Sequence, residues 1–139
     1  MRIFPRIRMK LTERSEIFMD DVFNHDEKLY RAIYPPEIMD MFWRKDGTVS
    51  SAAFADANGL SVDRGFYRPD SEVVHLMKQR FTGSIIKLYV KNCIDIGAVV
   101  RYAPSPNNKY HSEIHGSETN ILLSKQQRHY LSKKAKILG

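Results

Sequence analysis

Residues 84–90 read SIIKLYV and form the most strand-like segment of the chain. Isoleucine, valine and tyrosine favour strands because their branched or aromatic side chains pack well on a pleated surface. On one side, a capping serine and helical spacing of apolar residues predict a helix over residues 71–81. On the other side, residues 98–103 are similarly rich in valine and tyrosine, which predicts a second strand. The chain therefore mixes helices and strands, and with the hairpin predicted below the expected fold class is α+β.

The N-terminal third of the chain carries signals for one strand and two helices. Residues 6–11 alternate basic and apolar side chains, as an amphipathic strand does. Asn24 can cap a helix over residues 25–33. Pro36 suits the first turn of a helix, and the apolar residues after it predict a second helix that ends near Trp43.

The rest of the chain predicts a hairpin, a further strand and a C-terminal helix. Residues 48–54 and 60–63 are strand-like and are separated by Asn58-Gly59, a strong signal for a tight turn. Residues 110–116 predict another strand, and a capping box at Ser124 begins a helix. The expected architecture is a small, mostly antiparallel sheet with three to four helices, on which the basic C-terminal helix packs.

Composition indicates one globular domain. The chain has 139 residues, of which 42% are hydrophobic and 27% charged. We interpret residues 1–24 as a basic extension of that domain. No apolar run approaches a membrane span and no secretion signal is recognised, so we expect a cytoplasmic protein without a membrane partner. The single cysteine, Cys93, is predicted to be a buried thiol. The sequence has no glycine-rich phosphate-binding motif, no H-E-x-x-H zinc-binding motif and no paired C-x-x-C motif, so we predict no cofactor.

Residues 110–116, which read YHSEIHG, form the most chemically suggestive segment. Side chains alternate across a strand, so His111, Glu113 and His115 are expected to share one face. A carboxylate beside a histidine makes an acid–base pair, and His111 and Glu113 are therefore candidate catalytic residues. The same pair is also a common surface salt bridge. The two histidines are about 13 Å apart along a strand, so one metal cannot bind both without a bend, and no metal ligand is assigned. A metal site made of Glu113, one of the histidines and a third ligand from elsewhere in the chain stays as an alternative.

A second polar block, residues 50–64, reads SSAAFADANGLSVDR. Its small and hydroxyl-bearing side chains leave room for a ligand, although close packing of a helix would require the same composition. Asp63 and Arg64 end the block and are candidate catalytic residues, since a guanidinium can bind a phosphate. For Arg64, an ion pair with a neighbouring carboxylate is favoured over a phosphate contact.

Positive charge is concentrated at the two ends of the chain, whose net charge is +6. On the C-terminal helix the cations fall within an arc of about 140°, at about 100° per residue, and this ridge could follow a phosphate backbone. A lysine-rich face that only aids solubility is the alternative. The candidate nucleic-acid-binding residues are Arg6, Arg8, Lys10, Lys125, Arg128, Lys133 and Lys136.

Four motifs give the chain a resemblance to a family of small uncharacterised bacterial proteins. They are LYRAI at residues 29–33, SSAAF at 50–54, LSVDR at 60–64 and YHSEIHG at 110–116, and the resemblance spans about residues 29–138. That family has no established activity, so the resemblance implies a complete unit and assigns no catalytic residue. Basic bacterial proteins of this size often serve toxin–antitoxin or antiphage systems, which suggests a larger protein assembly as a partner.

The order Arg31, Ser50-Ser51 and Glu113 is also similar to that of ADP-ribosyltransferases. Those enzymes bind a nicotinamide dinucleotide with an early arginine or histidine, a serine-rich strand and a late catalytic glutamate. The resemblance implies substrate-binding roles for Arg31, Ser50 and Ser51. It departs from the family pattern because Arg31 falls in a predicted helix, the serine motif is incomplete, and no glutamate or glutamine precedes Glu113 by two residues.

Two functional hypotheses follow. The leading one is a small basic accessory protein that contacts nucleic acid or an acidic protein through its ends, within a bacterial toxin–antitoxin or antiphage system. The alternative is an enzyme acting on a nucleotide-like or small substrate, with a site that joins the hairpin of residues 50–64 to the strand that contains His111 and His115. The enzyme hypothesis requires both polar blocks to converge on one cleft.

Overall fold

The computed structural model describes residues 19–139, which form six strands, three α-helices and two 3-10 helices. The strands are β1 (Lys28–Ile33), β2 (Leu60–Arg64), β3 (Ser84–Tyr89), β4 (Val99–Tyr102), β5 (His111–His115) and β6 (Lys136–Ile137). The α-helices are α1 (Asp70–Lys78), α2 (Val90–Ile94) and α3 (Lys125–Lys134), and the 3-10 helices span Asp40–Phe42 and Ser51–Phe54. None of these helices has the length and apolar character needed to cross a bilayer. The strand predicted over residues 6–11, with Arg6, Arg8 and Lys10, lies outside the described residues.

The six strands form one antiparallel sheet in the order β4-β5-β2-β1-β3-β6. One side, the core face, carries the larger apolar cluster, to which α3 contributes Leu131. The other side, the α1 face, carries Tyr30 and Ile85, which pack against Val73 and Met77 of α1. The predicted α+β class and mostly antiparallel sheet are confirmed, although the sheet is larger than expected. The strand residues of the core-face cluster are Leu29, Ile33, Leu60, Val62, Ile86, Leu88 and Ile114.

The sheet opens between its two central strands. β1 and β3 pair along all six residues of β1, whereas β1 and β2 pair only at Leu29–Arg64 and Tyr30–Asp63. Beyond Tyr30 the Arg31 guanidinium joins the two strands, since its Nη1 donates to the Ser61 carbonyl at 2.9 Å. This gap in the backbone pairing adjoins a cavity at the end of α1.

The two helices predicted in the N-terminal third are wrong. The helix expected over residues 25–33 is instead β1, because Leu29 and Ile33 pack on the core face while Tyr30 packs on the α1 face. Six ladder pairs with β3 outweigh a local capping signal. The helix expected from Pro36 is reduced to the 3-10 helix Asp40–Phe42.

The predicted hairpin of residues 48–63 is also wrong. Its first half is the 3-10 helix Ser51–Phe54, in which the adjacent residues Ala53 and Phe54 are both buried rather than alternating as in a strand. Its second half is β2, which pairs with β1 and β5. The tight turn survives, since Gly59 has a φ of +100° and leads directly into β2.

Local signals were correct in the second half of the chain. Strands β3, β4 and β5 and helix α1 lie where their residue patterns predict them, within a few residues. The Ser124 hydroxyl accepts the Gln127 amide and the Gln127 side chain accepts from the Ser124 amide, which confirms the capping box of α3. Cys93 is buried, and this burial raises the pKa of its thiol to about 12.

Asp70 fixes the first turn of α1 to the sheet. Its carboxylate accepts hydrogen bonds from Tyr30 Oη at 2.6 Å and Lys87 Nζ at 2.8 Å, and Lys28 Nζ lies 3.2 Å away. Partial burial favours a higher pKa for Asp70, but these three donors outweigh it and hold the pKa at about 2. The ionised carboxylate therefore stabilises the folded chain.

Asp70→Asn is expected to lower the free energy of unfolding by about 1–2 kcal/mol at pH 7. The pKa of an aspartate in an unfolded chain is about 3.9, so the contribution is complete above about pH 5 and disappears as the pH falls towards 2. Urea unfolding at several pH values measures it, with Asp40→Asn, at an exposed carboxylate, as the control. If the difference in unfolding free energy between Asp70→Asn and the native protein stayed constant from neutral to acid pH, this account would be contradicted.

Candidate active-site cleft

A cavity of about 350 Å³ lies where the C-terminal end of α1 meets the α1 face of the sheet. We call it the His111 cleft. The sheet contributes Tyr30, Ser61, Asp63 and His111 to its walls, and the end of α1 and the segment after it contribute Met77 and Arg80. The polar side chains of the cleft therefore come from β1, β2 and β5, from Arg80 after α1 and from Asn108 before β5, while Met77 of α1 contributes to its apolar wall.

His111 is held in one tautomer. Its Nδ1 lies 2.8 Å from the Ala103 carbonyl oxygen, which can only accept a hydrogen bond, so Nδ1 must carry a proton. In the neutral ring Nε2 then has a free lone pair, and it lies 3.3 Å from the hydroxyl oxygen of Ser61. Ser61 is exposed to solvent. The Ser61 hydroxyl can therefore give its proton to His111 Nε2.

Asp63 positions a cation beside this pair. Its side chain is only 8% exposed, and its two oxygens accept Arg80 Nη2 at 2.7 Å and Asn108 Nδ2 at 2.8 Å. The Arg80 side chain is 41% exposed, so part of its guanidinium can reach a ligand. With both oxygens occupied, Asp63 is placed to orient Arg80 and the loop of Asn108 rather than to carry a proton.

Glu113 and His115 form a separate pair next to the cleft. Glu113 lies opposite Ser61 in the ladder between β2 and β5, and His115 Nε2 is 2.9 Å from Glu113 Oε1. The pair packs on the backbone of Gly59, where a Cβ atom would lie 2.7 Å from Glu113 Oε1. Neither residue lines the cavity. Among residues 19–139, no group of three His, Cys, Asp or Glu side chains is arranged to hold a metal ion.

Arg31 lines the His111 cleft and binds the backbone of Ser61. Its side chain follows Leu29 and Ile33 on the core face, where Nε donates to the Ala53 carbonyl at 3.2 Å and Nη1 donates to the Ser61 carbonyl. Burial lowers the pKa of Arg31, and the charge of Asp56 partly opposes this. Arg31, which the resemblance implies to bind substrate, thus donates its hydrogen bonds to backbone oxygens and fixes the position of Ser61.

Ser50 and Ser51, the other implied substrate contacts, lie away from the His111 cleft. They are half-buried at the start of the second 3-10 helix, and the Ser50 hydroxyl donates to the Met41 carbonyl at 2.6 Å. Because the residue 48–63 hairpin does not form, only its second half reaches the cleft, through Ser61 and Asp63.

Arg64 projects from the core face, on the opposite side of the sheet from Asp63. Its side chain is fully buried and forms a two-pronged ion pair with Glu27, with Nε–Oε2 and Nη2–Oε1 distances of 2.8 and 2.9 Å. The rings of Phe23, Phe66 and Tyr102 surround the guanidinium carbon at 4.1, 5.0 and 5.1 Å. Of the four candidate catalytic residues, His111 and Asp63 meet in the cleft, Glu113 lies beside it, and Arg64 is part of the core.

Lys125 and Lys133 lie on the far side of the sheet from this cleft, because α3 packs on the core face. Lys136 lies opposite Lys87 in the ladder between β3 and β6, and since Lys87 binds Asp70 of α1, Lys136 shares the α1 face. Lys125, Lys133 and Lys136 are exposed and form no ion pair with the described residues. Arg128 is half-buried and donates from Nη1 to the Leu123 carbonyl at 2.8 Å. The predicted ridge is therefore interrupted at Arg128, and its last cation, Lys136, lies on β6 and not on the helix, which ends at Lys134.

The sequence does not single out three residues of the cleft. Ser61 is only one member of a hydroxyl-rich block, and no local pattern marks Arg80 or Asn108 as functional. Their roles depend on long-range geometry, since Asn108 and Asp63 are 45 positions apart in the chain. No model of a protein family, no curated protein and no solved structure matches the chain. The side chains of the cleft are thus the basis for assigning a function.

Proposed function

We propose that this protein is an enzyme that transfers a phosphoryl group of a small, nucleotide-like substrate in the His111 cleft, with Ser61 as nucleophile and His111 as general base. The observation that carries the proposal is the hydrogen bond from His111 Nδ1 to the Ala103 carbonyl, because it leaves Nε2 as an acceptor facing Ser61. Nucleophilic serine enzymes use this arrangement of hydroxyl, imidazole and a third group that orients the ring.

In the proposed reaction, Ser61 Oγ attacks the phosphorus atom while its proton moves to His111 Nε2. The bond between phosphorus and the leaving oxygen breaks on the opposite side, and the leaving oxygen takes its proton from solvent. Water then attacks the phosphoserine from that side and releases a proton to solvent, the bond between phosphorus and Ser61 Oγ breaks, phosphate departs, and the protonated His111 returns its proton to Oγ. The Ala103 carbonyl stabilises the imidazolium between these steps, and the exposed part of Arg80 offers positive charge to the phosphoryl oxygens.

A fluorophosphonate probe tests this chemistry without knowledge of the substrate. Attack by Ser61 Oγ forms an oxygen–phosphorus bond, expels fluoride and leaves the proton on His111. We expect one adduct by intact-mass spectrometry, located at Ser61 by peptide mapping and missing from Ser61→Ala. Ser71→Ala, at an exposed serine of α1, is the matched control and should label like the native protein. No adduct, or an adduct on another serine, would count against the proposal.

Polyanion binding by the exposed lysines of α3 and β6 is a second candidate function. It is favoured by the lack of carboxylate partners for Lys133 and Lys136 among residues 19–139. A nucleic acid or an acidic protein surface would be the partner. Weaker retention of a Lys133→Gln, Lys136→Gln double variant on heparin at low salt would support this surface, whereas unchanged retention would exclude it.

A further inference from the structure

A second cavity, of about 310 Å³, continues the His111 cleft past Arg80. The two cavities share Asp63, Met77, Arg80 and Asn108 in their walls. Arg80 therefore stands between them, and one extended ligand can contact both.

Arg68 is held rigidly in the wall of this second cavity. Its guanidinium carbon lies 3.4 Å from the centre of the Tyr110 ring, and Nε and Nη2 donate to the carbonyls of Gly65 and Arg64 at 3.0 and 2.8 Å. Nη1 forms no hydrogen bond with any residue of the described range. An arginine whose plane is already fixed loses little side-chain entropy when it binds an anion.

Cations outnumber carboxylates in this cavity. Arg68, Arg80 and Lys109 line it, and the carboxylate is Asp63, which already accepts from Arg80 and Asn108. The Lys109 ammonium lies 5.4 Å from the Tyr110 ring and forms no ion pair within residues 19–139. Arg68 is fixed, and neither Arg68 nor Lys109 has a carboxylate partner within residues 19–139, so the cavity matches a phosphate group better than a neutral or cationic ligand.

We infer that this cavity, the Arg68 subsite, binds a second phosphate of the substrate, beyond the one that reacts at Ser61. The inference rests on the proposed function and narrows its substrate class to phosphate esters with at least two phosphate-bearing positions. A nucleoside bisphosphate and a short single-stranded oligonucleotide both present this chemistry. Arg80, which lines both cavities, contacts the reacting phosphoryl group on the side that faces the second phosphate.

Isothermal titration of the full chain at about 50 mM salt tests the subsite with three probes: a nucleoside monophosphate, a nucleoside 3′,5′-bisphosphate and a hexanucleotide. We expect the bisphosphate to bind about tenfold more tightly than the monophosphate, since it adds charge-assisted hydrogen bonds.

Lys109→Gln should remove most of that difference in affinity without altering the fold, because Lys109 makes no side-chain hydrogen bond to a described residue. Arg68→Lys, which keeps the charge but loses the planar fork, should also reduce it.

Lys45→Gln is the matched control, because Lys45 is exposed and lies outside both cavities. Tighter binding of the hexanucleotide than of the bisphosphate, lost in Lys109→Gln, identifies a nucleic-acid strand as the source of the phosphates; the reverse order identifies a free nucleotide. Equal affinity for monophosphate and bisphosphate overturns the subsite, even if Ser61 is labelled. A preference for the bisphosphate without any Ser61 adduct keeps the subsite and removes the proposed reaction.

Discussion

Glu27→Gln is expected to lower the free energy of unfolding by about 3–5 kcal/mol, the largest loss of stability that we predict for one substitution. Arg64 is completely buried, and Glu27 supplies the carboxylate that neutralises it from a side chain that is only 8% exposed. Glutamine has nearly the same shape but no charge, so the guanidinium would stay charged in the core without a counter-ion. The aromatic rings around it offset only part of that penalty.

Chemical denaturation measures this loss of unfolding free energy. The slope of the free energy against denaturant concentration should be the same in the variant and the native protein. Glu118→Gln is the matched control, because Glu118 pairs with Arg101 at 2.7 Å but its side chain is 75% exposed. That control should cost less than about 1 kcal/mol. The double variant Glu27→Gln, Arg64→Met should be more stable than Glu27→Gln alone, since it removes the unpaired charge. A cost for Glu27→Gln no larger than that for Glu118→Gln would show that the buried pair does not stabilise the fold.

The ion pair also connects the core to the Arg68 subsite. Arg64 donates to the backbone carbonyls of Asp20 and Val22, and Glu27 accepts the backbone N–H of Phe66 at 3.2 Å. Phe66 and Tyr67 both adopt positive φ values, +46° and +68°, which bulky side chains rarely do. Conformations of this kind persist only where surrounding contacts fix them. Loss of Glu27 should therefore loosen the turn that leads to Arg68.

The success of the sequence predictions depended on whether the deciding contacts were local. The capping box of Ser124 and Gln127 lies within one helical turn, and the start of α3 was correctly predicted from it. β1 was missed because Arg31 interrupts its apolar alternation, and its stability comes from pairing with β3, more than 50 residues away. No local pattern contains that partner.

The same distinction applies to the site. The period of two along a strand placed His111 and Glu113 on one face, and the register with Asp63 and Ser61 agrees. Because side chains alternate along a strand, the adjacent residues Asp63 and Arg64 of β2 point to opposite faces of the sheet. The two side chains could therefore not share one cleft. The Ala103 carbonyl, which sets the tautomer of His111, is a backbone atom that every residue type has. Its role could be recognised only from the structure.

His111→Gln is expected to slow covalent labelling of Ser61 by about 10²–10⁴-fold. Glutamine fills a similar volume but has no nitrogen that can accept and release a proton at neutral pH. Ser61 would keep its position, because its backbone carbonyl is held by Arg31 and its strand by the pairing with β5. The loss should therefore appear in the labelling rate, with the thermal unfolding temperature close to that of the native protein.

His115→Gln separates general-base catalysis from a change in local charge. His115 lies on the same strand and the same face as His111, but its Nε2 contacts Glu113 and not Ser61. If proton transfer to His111 is the step that matters, His115→Gln should change the labelling rate by no more than about threefold, whereas His111→Gln changes it by at least about a hundredfold. Similar effects of both substitutions would mean that either histidine merely sets the electrostatic environment of Ser61. An effect of His115→Gln alone would move the general base to the Glu113–His115 pair, which packs on Gly59 beside the cleft.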